Sequence, residues 1–196
     1  MLKVGITGGI GSGKTTISRV FELLGIPVFY ADVVAKQIMI TDPILMEGIR
    51  GQFGTESYTG AGLLNNKHIA DIVFNDNLQL EALNALVHPA VFRAFDQWIA
   101  TIPSSVPYIL KEAALLFESE SYKMCDTSIL VLASEQARIK RVMERDQATE
   151  PQVRARINKQ FSDDQKLQLA EHLIHNDESQ SVVLQVMELH KSFSNI

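Results

Sequence analysis

Leu2–Leu24, LKVGITGGIGSGKTTISRVFELL, is the stretch that decides the fold. Leu2–Thr7 is a short apolar, β-branched run of the kind that forms a buried strand. Gly8–Gly13 then carries four glycines in six residues. Lys14–Leu24 reads as a helix, with Ile17, Val20, Phe21 and Leu24 on one face. Gly25–Pro27 stops it, and Pro27–Ala31 reads as a second strand. Strand, glycine loop, helix and strand make a βαβ unit, which implies a parallel sheet with right-handed crossovers. Between the first strand and its helix, Gly8-Gly9-Ile10-Gly11-Ser12-Gly13-Lys14-Thr15 matches G-x-x-x-x-G-K-[ST] in full. The glycines let successive N–H groups turn inward around a phosphate, and the helix adds the positive end of its dipole. Lys14 is spaced to reach the β- and γ-phosphates, and the Thr15 hydroxyl to ligate Mg²⁺. Gly9, Gly11, Ser12, Gly13, Lys14, Thr15 and Thr16 are therefore the expected nucleotide-binding residues. A guanine-reading N-K-x-D is missing, since Asn66-Lys67 runs into His68-Ile69 and Asn158-Lys159 into Gln160-Phe161. ATP is the expected nucleotide.

Working outward, the 196 residues suit one domain, or one core with a modest insertion. An apolar fraction of 46% with 21% charged residues is ordinary for a chain that buries a core. The longest unbroken apolar runs, Ala113–Phe117 and Ile129–Ala133, are far shorter than the ~20 residues of a membrane span. The opening MLKVGITGG is too short an apolar stretch for a signal peptide, so none is expected. The single cysteine, Cys125, excludes an internal disulfide framework and suits a reducing, cytoplasmic compartment. Eighteen Lys and Arg against 23 Asp and Glu leave a net charge of −5, which argues against a general nucleic-acid binder. That charge is uneven. Residues 136–166 hold eight basic and five acidic residues, so this segment is +3 and the remainder −8.

Downstream, Asp32 to Ile99 is mostly helical in pattern and lacks a convincing strand. It contains Pro43–Phe53, a loop with Gly54, Gly60 and Gly62, then Lys67–Phe74 and Asp76–Ile99, where Pro89 is expected to bend or restart the helix. Val106–Glu112, Thr127–Ala133 and His172–His175 read as further strands, with helices at Glu135–Arg145, Glu150–Gln160 and from Ser179 to about Phe193. The expected architecture is a three-layer αβα fold on a parallel sheet of about five strands. The core is 1–41, 102–137 and 167–196, with helical excursions at 42–101 and 138–166.

A phosphoryl transferase needs a group to orient and deprotonate its acceptor. Asp32 ends the second strand, where ligands of open α/β sheets gather, and is a candidate for that base. It is equally a candidate N-cap for a helix over Val33–Met39. Glu112, just past the third strand, stands where a carboxylate would hold Mg²⁺ or its water shell. Glu118 fits either a site role or an ion pair. Arg138, Arg141 and Arg145 fall at i, i+3 and i+7 on one helical face, suited either to solvent or to transferring phosphates.

These residues resemble the dephospho-CoA kinase family from end to end. The matching stretches are GITGGIGSGKTT (Gly5–Thr16), YADVVAKQI (Tyr30–Ile38), VF (Val73–Phe74), LVHPAV (Leu86–Val91), ALLFES (Ala114–Ser119) and RVMERD (Arg141–Asp146), together with Gln160 and the Asn of LIHND (Leu173–Asp177). The resemblance implies phosphoryl transfer from ATP to the 3′-hydroxyl of the dephospho-CoA ribose. It also implies Asp32 as general base, Lys14 and Arg141 as catalytic, and 42–101 as an acceptor-binding block. By the same likeness His88, Lys67 and Glu118 serve the acceptor. Arg141 and Arg145 belong to a lid over ATP, with Asn176 near the adenine. A nucleoside or nucleotide monophosphate kinase is the alternative on the same loop, and a nucleotide-binding module without turnover is the alternative of another class. Two departures stand out. Asn65-Asn66-Lys67 replaces the family's usual Asp-Arg pair, so Lys67 would substitute for an Arg without its bidentate fork. Ala114 stands where the family usually has Pro. No binding partner beyond ATP and the acceptor is expected, neither nucleic acid nor membrane, and the chain is expected as a monomer or weak homo-oligomer.

Overall fold

The computed structural model describes residues 1–74, 76–177 and 179–195. They fall into two compact units, Met1–Tyr30 with Ile102–Ile196, and Ala31–Thr101.

The first unit is built on five parallel strands, β1 (Leu2–Thr7), β2 (Val28–Tyr30), β3 (Tyr108–Glu112), β4 (Thr127–Leu132) and β5 (His172–His175), in the order β2-β3-β1-β4-β5. With β3 on one side and β4 on the other, β1 is the central strand, and Val4–Thr7 are buried on both faces. That is why it reads as a continuous apolar run. On one face, α1 (Lys14–Leu23) contributes Ile17 and Phe21, and the C-terminal helix contributes Val186 and Phe193. These pack on Val4, Ile6, Tyr108, Leu110, Ile129, Val131 and Ile174. Their alternation along each strand puts them on a common face. On the other face at β1, Gly5 lies so close to Leu116 that an added Cβ would be 2.7 Å from Leu116 Cδ2. Helices on both sides complete the expected three layers.

Register brings the strands' carboxyl ends level. Ile6 pairs with Glu112, Tyr30 with Glu112, and Leu132 with His175. The Gly8–Gly13 loop, Glu112 and Asn176 therefore emerge on one edge of the sheet.

The second unit is helical, with α2 (Ala31–Thr41), α3 (Pro43–Phe53), α4 (Asn66–Val73) and α5 (Asn77–Ile99). Asp42 caps α3 by accepting from Ile44 N–H at 2.9 Å and Leu45 N–H at 3.1 Å, with Pro43 behind it in the first turn. Leu45, Ile49 and Phe53 of α3 and Val87, Ala90, Val91 and Phe95 of α5 form its buried faces. Contrary to the expectation of a restart, α5 continues through Pro89 as one helix. Pro89 and Ala85 are both exposed, so the carbonyl that loses its donor faces water, where the loss costs little.

In the first unit the chain continues through α6 (Glu135–Asp146), α7 (Glu150–Ile157) and α8 (Asp163–Leu167), and ends in α9 (Val182–Ser194). Ser134 caps α6 through Ala137 N–H, and Ser162 caps α8 through Gln165 N–H. Ile139, Val142 and Val153 make a small separate core that also takes in Ile10 from the glycine loop. Among the described residues no helix is long and apolar enough to cross a membrane.

Candidate active site

The glycine loop closes on itself. Gly9 O accepts from Ser12 N–H at 3.0 Å, and Gly11 and Gly13 adopt φ of 79° and 94°, a region that favours glycine. Gly13 also caps α1, so the helix starts directly out of the loop. Ser12 is buried beneath the loop, and both its backbone groups are taken within the protein, its N–H by Gly9 O and its carbonyl by Asn176. Lys14 and Thr15 occupy the first turn of α1 and share a partner. The Glu112 Oε1 atom lies 3.7 Å from Lys14 Nζ and accepts from the Thr15 hydroxyl at 3.4 Å. Glu112 is the last residue of β3 and is buried. Thr16 is exposed on the next position of α1.

Three side chains hold the loop from outside. Asn176 Nδ2 donates to Ser12 O at 2.7 Å, while its backbone N–H extends the β4–β5 ladder to Leu132 O. Carbonyl and following N–H point oppositely across a planar peptide, so this anchor turns Gly13 N–H inward. Arg141 donates to Gly11 O at 3.4 Å and to Asn176 O at 3.2 Å. Gln160 Oε1 accepts from Ile10 N–H at 2.9 Å, and its Nε2 donates to Ala114 O at 3.4 Å. Helix α6 is seated on the loop as well. A Cβ on Gly11 would lie 2.5 Å from the Arg138 carbonyl oxygen, and one on Gly9 would overlap the Arg138 guanidinium.

The basic island resolves into distinct pairs. Arg138 is buried and pairs with Asp163 at 3.2 Å. Lys166 is fully buried and lies 3.2 Å from Glu118 Oε1, which also accepts from Phe161 N–H at 2.8 Å. Burial pushes the Lys166 ammonium below the usual lysine range, and the Glu118 carboxylate opposes that shift. Glu118 thus takes the ion-pair role that its sequence position left open. Arg145 is not turned toward the loop. Its Nε and Nη2 grip Asp146 at 2.7 and 3.1 Å, and Arg156 adds a third bond at 2.7 Å. The Arg145 hydrogen bond, and then that of Arg156, hold the Asp146 carboxyl down at about 2.

Three expected residues belong to the helical unit. Asp32 lies in the first turn of α2, two residues beyond the end of β2, and is exposed. It is not an N-cap, because α2 begins at Ala31 with no loop after β2. As a first-turn carboxylate it favours the helix dipole instead. Lys67 is exposed in the first turn of α4, whose cap is Asn65, accepting from His68 N–H at 3.2 Å. His88 is half-buried in α5 and stacks on Phe92 with ring centroids 6.4 Å apart.

A family model described as dephospho-CoA kinase matches residues 2–181. The chain belongs to the dephospho-CoA kinase family. The dephospho-CoA kinase of Bacteroides fragilis is 34% identical over 188 residues, covering 96% of this chain and 91% of that one. Among solved structures, TT1252 from Thermus thermophilus superposes with a TM-score of 0.86 at 28% identity, over 97% of this chain and 96% of that one. A dephospho-CoA kinase from Campylobacter jejuni shares the fold, with a TM-score of 0.72 at 22% identity over 98% and 97% of the two chains.

Sequence reasoning marked Gln160 only through its match to the family, and it passed over Lys166. Neither residue type nor spacing distinguishes a buried lysine from the solvated ones around it. Arg138 was visible as one member of the i, i+3, i+7 row, but its seat on Gly9 was not.

Proposed function

We propose that the protein transfers the γ-phosphoryl group of ATP to the 3′-hydroxyl of the dephospho-CoA ribose, giving CoA and ADP. The observation that carries this reading is the grouping of Lys14, Thr15 and Glu112 around the glycine loop, in a chain that matches the family over residues 2–181. The loop amides and Lys14 receive the β- and γ-phosphates, and Arg141, already on Gly11 O, lies beside them. Asp32 accepts the acceptor's hydroxyl proton as the oxygen bonds to the γ-phosphorus. The bond to the β–γ bridging oxygen breaks, and ADP leaves with the charge that Lys14 and Arg141 compensate. The Thr15 hydroxyl and Glu112 carboxylate are hard oxygen donors close together, and this set fits Mg²⁺. When bound there, the ion neutralises phosphate charge. Arg145 serves the nucleotide by exchanging Asp146 for phosphate, and Asn176 serves it through the loop. His88 and Lys67 attend the acceptor, whereas Glu118 anchors the segment around Phe161. The lone cysteine supports a cytoplasmic enzyme and the acidic balance one without a nucleic-acid partner; we take it to act as a monomer or weak homo-oligomer with no membrane partner.

The test is product identity. Incubation with ATP and dephospho-CoA should yield CoA and ADP in equal amounts, resolved by chromatography and mass. Turnover of AMP, CMP or uridine with none of dephospho-CoA would transfer the assignment to another acceptor. ATP binding with no turnover of any acceptor would make the chain a nucleotide-binding module.

A further inference from the structure

We infer that Gln160 is a positioning residue that sets the phosphate loop from outside, and that the buried Lys166–Glu118 pair keeps it in place. The inference deepens the ATP-dependent reading above and rests on it for its ATP-binding and kinetic arms, not for the hydrogen-exchange arm. The Gln160 side chain bridges two segments distant in sequence, accepting from Ile10 N–H at 2.9 Å and donating to Ala114 O at 3.4 Å. The Gly9–Ile10 peptide is thereby held at both ends. Its carbonyl accepts from Ser12 N–H, and its N–H is taken by Gln160. A peptide group fixed at both ends cannot rotate, so the turn across Gly9–Ser12 holds one shape in the most glycine-rich part of the chain.

The support continues outward. Gln160 immediately precedes Phe161, whose N–H donates to Glu118 Oε1, and that same atom pairs with the fully buried Lys166 Nζ. Glu118 in turn lies four residues beyond Ala114, whose carbonyl receives the Gln160 amide. The pair and the bridge therefore tie the same two segments, 114–118 and 160–166, at two points. A buried charge pair does not make this junction unusually stable, but breaking it strands a charge, which makes the geometry specific. Ile10 adds a third tie through its place in the small core with Ile139, Val142 and Val153. It follows that the base of the region 138–166 does not swing freely. The loop is shaped before any nucleotide arrives, so less ordering is needed on binding.

Gln160→Met tests this, because methionine keeps the length and volume of the side chain but cannot accept from an amide or donate to a carbonyl. The first readout is hydrogen exchange of the peptide covering residues 8–12 in the full-length protein without nucleotide. Protection there should fall at least tenfold, with peptides from β1, β3 and β4 unchanged. The second is ATP affinity by calorimetry together with steady-state kinetics. The ATP Kd and KM should rise about tenfold, about 1.4 kcal/mol, while the acceptor KM stays constant. A merely structural role would lower the melting temperature or the active fraction and leave the ATP KM alone. Glu118→Gln, which retains an acceptor for Phe161 N–H but unpairs Lys166, should reproduce the loss of loop protection in weaker form. Unchanged exchange at 8–12 in Gln160→Met overturns the inference whatever the enzyme's acceptor, since that measurement needs no ligand. Loss of loop protection with an unchanged ATP Kd overturns it as well. Absence of turnover in the wild-type protein would instead fail the functional reading.

Discussion

Replacing Gly11 by alanine, with Gly25→Ala as the control, measures how closely α6 is seated on the phosphate loop. Both glycines have positive φ, 79° at Gly11 and 82° at Gly25. Both substitutions therefore carry the penalty of placing a Cβ residue in left-handed backbone, about 1–2 kcal/mol. They differ in space. Nothing lies within 4 Å of a Cβ at Gly25, whereas at Gly11 it would meet the Arg138 carbonyl oxygen at 2.5 Å, Val142 Cγ2 at 2.9 Å and Arg138 Cα at 3.0 Å. Two of those atoms are helix backbone and cannot rotate away, so α6 must retreat by about 0.9 Å to restore ordinary contact. Overpacking of that kind costs about 1–3 kcal/mol more. The retreat also stretches the Arg141–Gly11 hydrogen bond, already 3.4 Å long. Gly25→Ala should thus lose about 1–2 kcal/mol and Gly11→Ala about 2–5 kcal/mol. At a urea m-value of about 2 kcal/mol/M, the midpoints fall by about 0.5–1 M and about 1–2.5 M respectively. Calorimetric titration with ATP should show Gly25→Ala unchanged and Gly11→Ala weakened at least tenfold. Equal midpoints and equal ATP affinities for the two variants would refute the seating of α6 on the loop.

Other outcomes follow from single groups. Asp32→Asn should lower kcat by about 10²- to 10⁴-fold with the ATP Kd unchanged, and an unchanged kcat would leave Asp32 with only its helix-dipole role. The Asp146 carboxyl, held at about 2 against an ordinary 3.8, contributes stability that is present above pH 3.8 and lost as pH falls through 2. Its carboxyl carbon should titrate near pH 2 by NMR, and a midpoint near 4 would mean Arg145 and Arg156 do not hold it. Burial raises the Cys125 thiol to about 11, so its contribution to stability is present below pH 9 and lost as pH rises through 11. At pH 8 only about 0.1% is thiolate, so iodoacetamide should label Cys125 slowly, with a rate that climbs until about pH 11. An inflection near 9 would mean the thiol is not desolvated.

The parts of the fold that were readable are those whose physics is local. β1, the glycine loop and α1 are read from the unbroken stretch Leu2–Leu24, and their observed bounds differ from the expected ones by a residue at most. α3 is legible for the same reason, since its expected range Pro43–Phe53 is the observed one and proline suits the first turn of a helix. The helix at Asp32 was less legible. An aspartate before a helical pattern reads as a cap, but β2 runs straight into α2, and the cap position has already passed. Pro89 left a bend and a restart both open, and that the helix runs on through it depends on whether the freed carbonyl meets water, which is a tertiary quantity. The surroundings of the loop were least legible. The Gln160–Ile10 bond joins residues 150 apart, and the Asn176–Ser12 bond residues 164 apart.

By itself, the sequence determined that a phosphate loop sits between a strand and a helix, and that a basic segment accompanies it on an acidic chain. These follow from spacing, glycine content and charge, each of which acts within a few residues. Only the tertiary structure decided how the basic residues divide. Arg141 reaches the loop carbonyls, Arg138 is buried against Gly9 with Asp163, Arg145 grips Asp146, and Lys166 is withdrawn from water onto Glu118. The physical reason is the strand order. With β1 between β3 and β4, the segments after β1, β3, β4 and β5 converge on one edge, and what each cation meets there depends on chain from every part of that edge.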